Sequence, residues 1–470
     1  MDSLLNAKLL NEKPSEEGQP KDDPFRSVRL KRPLATLLQL VLFGGAVGLA
    51  CLPLNIVDSW QAQLLHGLPG FNNQAWHLGN LGQALAPLVV MPVLLWLQAG
   101  RFKAGAGSGI PQTIESIEEP GSASTLLGLK PTIQRLSLWT AASLALMPLG
   151  REGPVVQVGA SVALALKKRF PRLLAGFSET NLVTIGAGAG LAGGFNSPLM
   201  GTVFVFEELT GRFLPSVVWP ALVVCLTAAL VSNLTGTPVF ILGLIQDPEA
   251  EWVQLVLALP VGLVGGWLGG LFARLLFSVT AWLRPKVNRR PLAWGVALGG
   301  CLALIAVLSG GLSGGDGEAL MGHLLGDGGS LPVPGSPIDV IGWLLLLAAR
   351  LVAPVLALGA GIPGGLIDPA FAIGAVFGSG SLELLGGNGQ LGLALGMAAG
   401  LAGATQLPLM TILFSLRMMG DQQWLFGMLL SAVIGALVGR KIQPEPIYHA
   451  LWGLGKKANQ KPGTLGGYRA

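Results

Sequence analysis

The sequence predicts an all-α polytopic membrane protein. Hydrophobic residues make up 51% of the chain and charged residues only 12%, which is about half the charged share of a soluble protein. Its 69 glycines lie in apolar runs such as "AAGLAGA" and "GGWLGGLFA", where small residues let membrane helices approach closely. Several apolar segments begin at proline and are too short to cross about 30 Å of hydrocarbon. Such segments are typical of the discontinuous helices of transporters.

The same patterns argue against several other classes of protein. The four histidines form no HExxH motif, no GxxxxGK[ST] phosphate loop occurs, and no CxxC pair is present. We interpret Cys51, Cys225 and Cys301 as packing residues. The sequence therefore predicts no metal, no cofactor and no enzymatic activity. The net charge of +5 comes from basic residues beside apolar segments, which orient a membrane protein and do not indicate nucleic-acid binding.

The distribution of Lys and Arg predicts the orientation. Three long intervals lack both residues: from Arg32 to Arg101, from Arg212 to Arg274, and through the glycine-rich loop at 310–338. Since Lys and Arg accumulate on the cytoplasmic side, we expect a multi-pass cell (inner) membrane protein with three external loops. Residues 1–33 and 456–470 would be cytoplasmic tails. The first tail is polar, with mixed charge, and lacks the apolar core of a signal peptide.

An internal repeat predicts two related halves. Gly186–Phe204, "GAGAGLAGGFNSPLMGTVF", aligns without gaps to Gly396–Phe414, "GMAAGLAGATQLPLMTILF". The segments share "GLAG" and "PLM" at identical spacing, and a break rich in glycine and proline precedes each copy. We therefore expect one transmembrane transport domain at 34–455, with repeats at approximately 34–235 and 250–455.

Three breaks and a tyrosine contain the candidate site. The breaks are "GSGIP" at Gly107–Pro111, "GREGP" at Gly150–Pro154 and "GGLIDP" at Gly364–Pro369, and Tyr448 lies in "PEPIYHALW". Helix N-termini and glycine backbone can bind an anion without a buried cation, and the hydroxyls of Ser108 and Tyr448 can donate to a dehydrated halide. Taken singly, the GSG sequence is a turn and the tyrosine an interfacial aromatic.

Glu152 has two interpretations. A carboxylate inside the membrane costs about 2.5–3.5 kcal/mol on insertion scales and is retained mainly for function. The alternative is a structural ion pair with its neighbour Arg151.

These four motifs, in this order and at about this spacing, resemble the anion-site motifs of CLC chloride channels and transporters. The resemblance covers about residues 33–455 and includes "AGLAGGFNSPLMGTVFVFEEL", which resembles that family's segment ending in paired glutamates. It implies the CLC-type fold of two inverted-topology repeats with many tilted and discontinuous helices. It also implies a homodimer with an anion pathway in each subunit, of the prokaryotic chloride/proton antiporter branch without CBS domains.

The resemblance also implies an anion-binding set. Ser108 and Tyr448 would coordinate a central chloride together with the backbone N–H groups of Leu366 and Ile367, and Gly153 would offer its N–H at an outer site. Proline at the position of Ser108 is associated with nitrate preference in this family. Phenylalanine usually stands where this chain has Ile367, which changes the apolar lining but keeps the N–H.

Two glutamates would carry protons by the same resemblance. Glu152 matches the external gate, whose carboxylate competes with chloride and carries the proton, and Glu208 matches the internal proton-transfer residue. Without the resemblance, Glu207 and Glu208 would be interpreted as a solvated helix end. Asp368 departs from the family pattern, and we expect it to cap its own helix while pointing away from the anion. A slower or pH-shifted transporter is the alternative.

The function implied is exchange of chloride for protons, with chloride, protons and lipid as partners and no nucleic acid. A passive channel of the same fold is the alternative, and Glu208 distinguishes the two, because channels of the family typically have an apolar residue there. A fluoride exchanger fits less well at Ser108 and "GREGP". A membrane-embedded enzyme would need a catalytic constellation that the sequence lacks.

Overall fold

A computed structural model describes residues 33–72, 74–234, 250–326, 340–420 and 422–460. Most of both predicted tails lies outside these ranges. Residues 235–249, within the interval from Arg212 to Arg274, and part of the predicted loop at 310–338 also lie outside them. The last helix continues to Gln460, beyond the predicted start of the C-terminal tail at 456. Within the described ranges, the regular structure is helical.

The helices vary widely in length, as the sequence predicts for a transporter with discontinuous segments. In chain order they are α1 (Pro33–His66), α2 (Pro69–Asn72), α3 (Leu78–Ala99), α4 (Ile110–Glu118), α5 (Ala123–Leu126), α6 (Leu129–Leu144), α7 (Glu152–Arg169), α8 (Glu179–Phe195), α9 (Pro198–Phe204), α10 (Pro215–Ser232), α11 (Glu251–Arg289), α12 (Pro291–Leu308), α13 (Glu318–Gly326), α14 (Val340–Gly359), α15 (Ile367–Leu384), α16 (Gly389–Thr405), α17 (Pro408–Met419), α18 (Leu425–Ile442) and α19 (Ile447–Gln460). A π-helical turn, Val205–Leu209, continues α9.

Seven helical stretches among the described residues are long and apolar enough to cross a membrane. They are α1, α3, α10, α11, α12, α14 and the consecutive pair α18 and α19. Large apolar side chains, including Trp219, Trp252 and Leu437, are more than half exposed on these helices. An apolar outer surface of this kind is stable against lipid and unstable against water. The molecule is therefore a polytopic membrane protein.

The two repeat copies adopt the same local structure. In the first, Asn196 caps the C-terminus of α8 with a left-handed φ of 45°, and α9 begins two residues later at Pro198. In the second, Gln406 caps α16 with a φ of 62°, and α17 begins two residues later at Pro408. The aligned segments thus share a helix, a left-handed cap and a new helix that starts at proline.

Glycines bring the helices of each half into backbone contact. Helix α7 packs on α8, where a β-carbon on Gly159 would overlap the carbonyl group of Gly186. Helix α15 packs on α16 in the same way at Gly378 and Gly392. These close approaches confirm the predicted role of the small residues.

Two of the three cysteines behave as the sequence predicts. Cys51 and Cys225 are buried, whereas Cys301 is exposed on α12. The packing role predicted for Cys301 is therefore not found within the chain.

Candidate functional site

The three glycine-rich breaks meet in the structure. The backbone N–H of Gly150 donates to the carbonyl oxygen of Gly365 at 3.0 Å, and the N–H of Gly365 donates back to Gly150 at 2.8 Å. This is an isolated antiparallel bridge between corresponding segments of the two halves. An antiparallel contact is expected where two repeats of inverted topology meet. The N–H of Gly107 donates to the carbonyl of Gly361 at 2.9 Å. Three sites that are distant in sequence thus converge on one place.

Backbone conformation and a buried arginine position Ser108. The flanking Gly107 and Gly109 have φ angles of 85° and 117°, a region that side-chain-bearing residues rarely adopt. The buried Arg135 donates from its Nε atom to the carbonyl of Gly107 at 3.0 Å. A β-carbon on Gly153 would overlap Ser108. The serine is therefore held directly against the N-terminus of α7.

Two helix N-termini point into this region. The sequence predicts that short apolar segments begin at proline, here Pro154 and Pro369. Helix α7 instead begins at Glu152 and α15 at Ile367, two residues before each proline. The N–H groups of Gly153 and Ile367 consequently lie in the first turn, where a helix supplies no acceptor of its own. Ser108 and Leu366 line a common cavity. The predicted anion ligands Gly153, Leu366 and Ile367 therefore lie near Ser108.

Tyr448 is the second residue of α19 and is 1% exposed. A belt aromatic would lie at the surface, so the structure does not support that alternative. Neither the Tyr448 hydroxyl nor the buried Ser108 hydroxyl has a hydrogen-bond partner among the described residues. A buried polar group without a partner costs about 1–3 kcal/mol. Both hydroxyls are thus available to an anion.

The Glu152 carboxylate lies at the N-terminus of α15. The side chain is fully buried, and its Oε1 atom accepts from the backbone N–H of Asp368 at 2.6 Å. Its Oε2 atom has no hydrogen-bond partner among the described residues. A β-carbon on Gly365 would overlap this carboxyl group, so the glycine makes room for it. The carboxylate therefore uses the donor group of a helix end that would otherwise be available to an anion.

Arg151 does not pair with Glu152, so the alternative interpretation of Glu152 as half of a structural ion pair is wrong. The Arg151 guanidinium pairs with Asp58 and, at 2.9 Å, with Glu318. It also lies 4.6 Å from the centre of the Phe195 ring. These contacts hold Arg151, the residue before α7, in place. The Glu152 side chain therefore bonds to the N-terminus of α15 and not to Arg151.

The acidic partners of Arg151 were missed by sequence reasoning. Carboxylate oxygens of Asp58, Asp316 and Glu318 all lie within 4.8 Å of one another, and the Arg151 guanidinium supplies positive charge among them. A usable signal was present, since Asp58 interrupts an apolar helix.

Arg350 was also missed, although it interrupts the apolar run of α14, and an intramembrane ionisable residue is a functional or structural signal. It is buried and donates to the carbonyls of Gly314 and Gly315 at 3.1 and 3.2 Å. The arginine thereby holds the glycine-rich segment that leads to Asp316 and Glu318.

The structure corrects the prediction for Asp368. Its side chain is fully buried, and neither carboxylate oxygen has a hydrogen-bond partner among the described residues. No side chain caps α15 at its N-cap position, Leu366. The prediction of a self-capping aspartate is wrong because Asp368 lies inside the first turn, two residues after the N-cap position, and its carboxylate accepts no backbone N–H. The Asp368 carboxyl group instead lies close enough to the carboxyl groups of Glu152 and Glu318 for like charges on them to repel.

The paired glutamates have different environments. Glu208 lies in the π-helical turn and is 5% exposed, and its Oε1 atom lies 3.7 Å from Nε2 of His449. The Glu207 carboxylate accepts from the backbone N–H groups of Leu409 at 3.0 Å and Met410 at 2.7 Å, in the first turn of α17. The pair is therefore not a solvated helix end. One carboxylate caps a helix of the other half, and its neighbour is buried.

Comparison with known proteins agrees with this geometry. A family model described as voltage gated chloride channel matches residues 88–440, well over half of the chain. The chain belongs to the CLC family. This CLC protein is 28% identical over 448 residues to a Cronobacter sakazakii protein named H(+)/Cl(-) exchange transporter ClcA, with 90% of each chain covered. It is 29% identical over 446 residues to a Yersinia pseudotuberculosis protein of the same name, covering 90% of this chain and 88% of the relative.

Solved CLC structures share the fold. A structure described as a slow cyanobacterial Cl−/H+ antiporter superimposes with a TM-score of 0.70 at 23% identity, covering 91% of this CLC protein and 100% of the other chain. A CLC-type fluoride/proton antiporter gives a TM-score of 0.67 at 25% identity, with 89% and 98% covered. The predicted fold class, an all-α membrane protein of the CLC type, is confirmed.

Proposed function

We propose that this CLC protein exchanges chloride for protons across the cell membrane, with both termini in the cytoplasm. The observation that carries the proposal is the presence of two separate buried carboxyl groups: Glu152 at the meeting point of the helix ends and Glu208 beside His449. A passive anion pathway requires no second buried carboxyl group. Relatives named as H(+)/Cl(-) exchange transporters match 90% of the chain, which supports the same activity.

The anion site consists of neutral donors. The hydroxyls of Ser108 and Tyr448 and the N–H groups of Leu366 and Ile367 bind a central chloride, and the N–H of Gly153 contributes to an outer position. The two helix ends add partial positive charge, equivalent to roughly half an elementary charge each. Binding of this kind is favourable but weak, which transport requires because the ion must also leave.

The two glutamates couple the ions. When ionised, the Glu152 carboxylate occupies the helix end through the Asp368 N–H, so it competes with chloride for the same positive potential. When protonated, it loses its charge and yields the position to the anion. Glu208 takes up protons from the cytoplasmic side and supplies them to Glu152. Chloride and protons then enter separately on the inside and share the outer gate.

A flux measurement on the purified protein in lipid vesicles tests the proposal. We expect a chloride gradient to drive protons in the opposite direction to chloride and against a pH gradient, as recorded with a pH electrode. Chloride flux without proton movement would identify a passive channel, and the absence of both fluxes would refute transport of either ion. A parallel run with fluoride separates a chloride exchanger from a fluoride exchanger.

Ser108 sets the preference among anions. We expect Ser108→Pro to raise nitrate transport relative to chloride by about tenfold, because a hydrogen bond to a charged group is worth roughly 1.5 kcal/mol or more and a monatomic halide depends on each donor. Competition between the two anions in vesicles measures this ratio. Ser116→Ala is the control, because that hydroxyl bonds within its own helix to the Gln112 carbonyl at 2.8 Å. An unchanged ratio in Ser108→Pro would make Ser108 a turn residue only.

The functional unit is a homodimer embedded in lipid. Each subunit carries a complete site within one chain, since Ser108, Glu152, Ile367 and Tyr448 all come from the same polypeptide. The partner subunit therefore adds stability without completing the pathway. Exposed apolar faces on the long helices, such as those with Trp219 and Trp267, supply surface for lipid or for the second copy.

A further inference from the structure

We propose that His449 is the residue that passes protons from the aqueous side to Glu208. The inference rests on the proposed exchange function and adds the route by which the proton reaches the inner carboxyl group. Nε2 of His449 lies 3.7 Å from Oε1 of Glu208. The histidine side chain is 33% exposed, whereas the glutamate side chain is 3% exposed. One ring thus connects a buried carboxyl group to the protein surface.

The surroundings of Glu208 support this connection. Its Oε1 atom is buried and has no hydrogen-bond partner among the described residues. The adjacent Glu207 caps α17, because both of its carboxylate oxygens accept backbone N–H groups from the first turn of that helix. The Tyr448 hydroxyl also interacts electrostatically with Glu208, but this side chain is itself buried. His449, which is 3.7 Å away and partly exposed, is therefore the proton carrier that we assign to this carboxyl group.

Imidazole chemistry suits the role. A histidine ring exchanges protons between about pH 5 and pH 8, and its two nitrogens can face different surroundings. A proton from water binds the outer nitrogen, and the imidazolium donates its Nε2 proton to the Glu208 carboxylate. The ring is then neutral, with its remaining proton on Nδ1, and tautomer exchange with water resets it. The gap of 3.7 Å must close by roughly 0.7 Å for the transfer, which a side-chain rotation provides.

Helix α19 carries residues of both proposed routes. Leu451, Trp452 and Gly455 of α19 line the cavity that also contains Ser108, whereas neither Tyr448 nor His449 lines it. The His449 ring lies edge-on to the Trp452 ring, with their centroids 6.2 Å apart. Tyr448 belongs to the anion site, and adjacent residues on a helix are turned by about 100° from one another. Tyr448 and His449 therefore leave α19 in different directions, so one helix can serve the proposed anion site and the proposed proton route.

Chloride-driven proton uptake in vesicles, with chloride flux recorded in the same sample, tests the inference. We expect His449→Ala and His449→Gln to lower the proton flux by about tenfold and to leave chloride flux within about twofold of wild type. Imidazole added to the bath should restore proton flux in His449→Ala, because the truncated side chain leaves space for the free ring. Glutamine keeps the size of the side chain without titrating, which covers the case in which the alanine variant fails to fold.

The control is His66→Ala, which removes a histidine at the end of α1 that contacts Phe71. Proton uptake equal to wild type in both His449 variants would overturn the inference, and so would a parallel loss of chloride and proton flux without rescue by imidazole. If the wild-type protein moved chloride without protons, the proposed exchange itself would fail. The wild-type arm therefore distinguishes the two failures.

Discussion

Replacement of Glu152 with glutamine abolishes chloride-driven proton uptake and leaves an anion pathway open. The amide is nearly isosteric, and its oxygen can still accept from the Asp368 N–H, which is bonded to Glu152 at 2.6 Å in the wild-type protein. However, the amide carries no charge and cannot titrate. It therefore competes weakly with chloride for the helix end and transfers no proton. We expect chloride flux to persist with little pH dependence, because protonation no longer displaces the gate.

The measurement pairs a chloride electrode with a pH electrode in the same vesicle suspension. Glu119→Gln is a suitable control, because Glu119 is exposed and pairs with Lys456 at the surface. Persistent proton pumping by Glu152→Gln would exclude Glu152 as the proton carrier. A loss of chloride flux in Glu152→Gln, with normal flux in the control, would mean that the carboxylate supports the pathway and does not gate it.

Replacement of Glu208 with glutamine separates the two fluxes in a different way. We expect chloride to flow while coupled proton movement falls to background, because the buried group between His449 and the interior can no longer accept a proton. The pH dependence of chloride flux at the outer face should remain, since Glu152 is unchanged. This combination, an intact gate with no proton coupling, is the signature of a passive channel.

Glu207→Gln is the matched control for that experiment, with the same change one residue earlier. Its amide oxygen can replace only one of the two acceptor oxygens that hold Leu409 and Met410, so we expect lower thermal stability with proton coupling retained. If wild type and Glu208→Gln pump protons equally under a chloride gradient, the internal proton role of Glu208 is refuted. Loss of proton coupling in Glu207→Gln would mean that Glu207 and Glu208 transfer the proton together.

The sequence was sufficient for the fold and for the breaks that converge. Composition indicated the membrane, the aligned "GLAG" and "PLM" segments indicated two halves, and the breaks around Ser108, Glu152 and Leu366 indicated helix ends. The helix starts were placed two residues late, because proline is tolerated throughout the first turn of a helix and does not identify its first residue.

Contacts between distant residues could not be predicted from one sequence. Arg151 was assigned Glu152 as a possible partner because the two are adjacent in the chain. Successive side chains at a helix start point in different directions, and the true partners, Asp58 and Glu318, come from other helices. The fate of Asp368 depended on the same geometry, because its N–H group was taken by a carboxylate 216 residues earlier in the chain.

The contacts between the halves also determine the order of events during synthesis. When the first half has been synthesised, Glu152 and Glu207 are already in the membrane, where a carboxylate without a partner is costly. The donors arrive much later: the Asp368 N–H follows Glu152 by 216 residues, and the Leu409 N–H follows Glu207 by 202. Neither contact can therefore form within one half. Both are completed only when the second half of the chain has been inserted against the first.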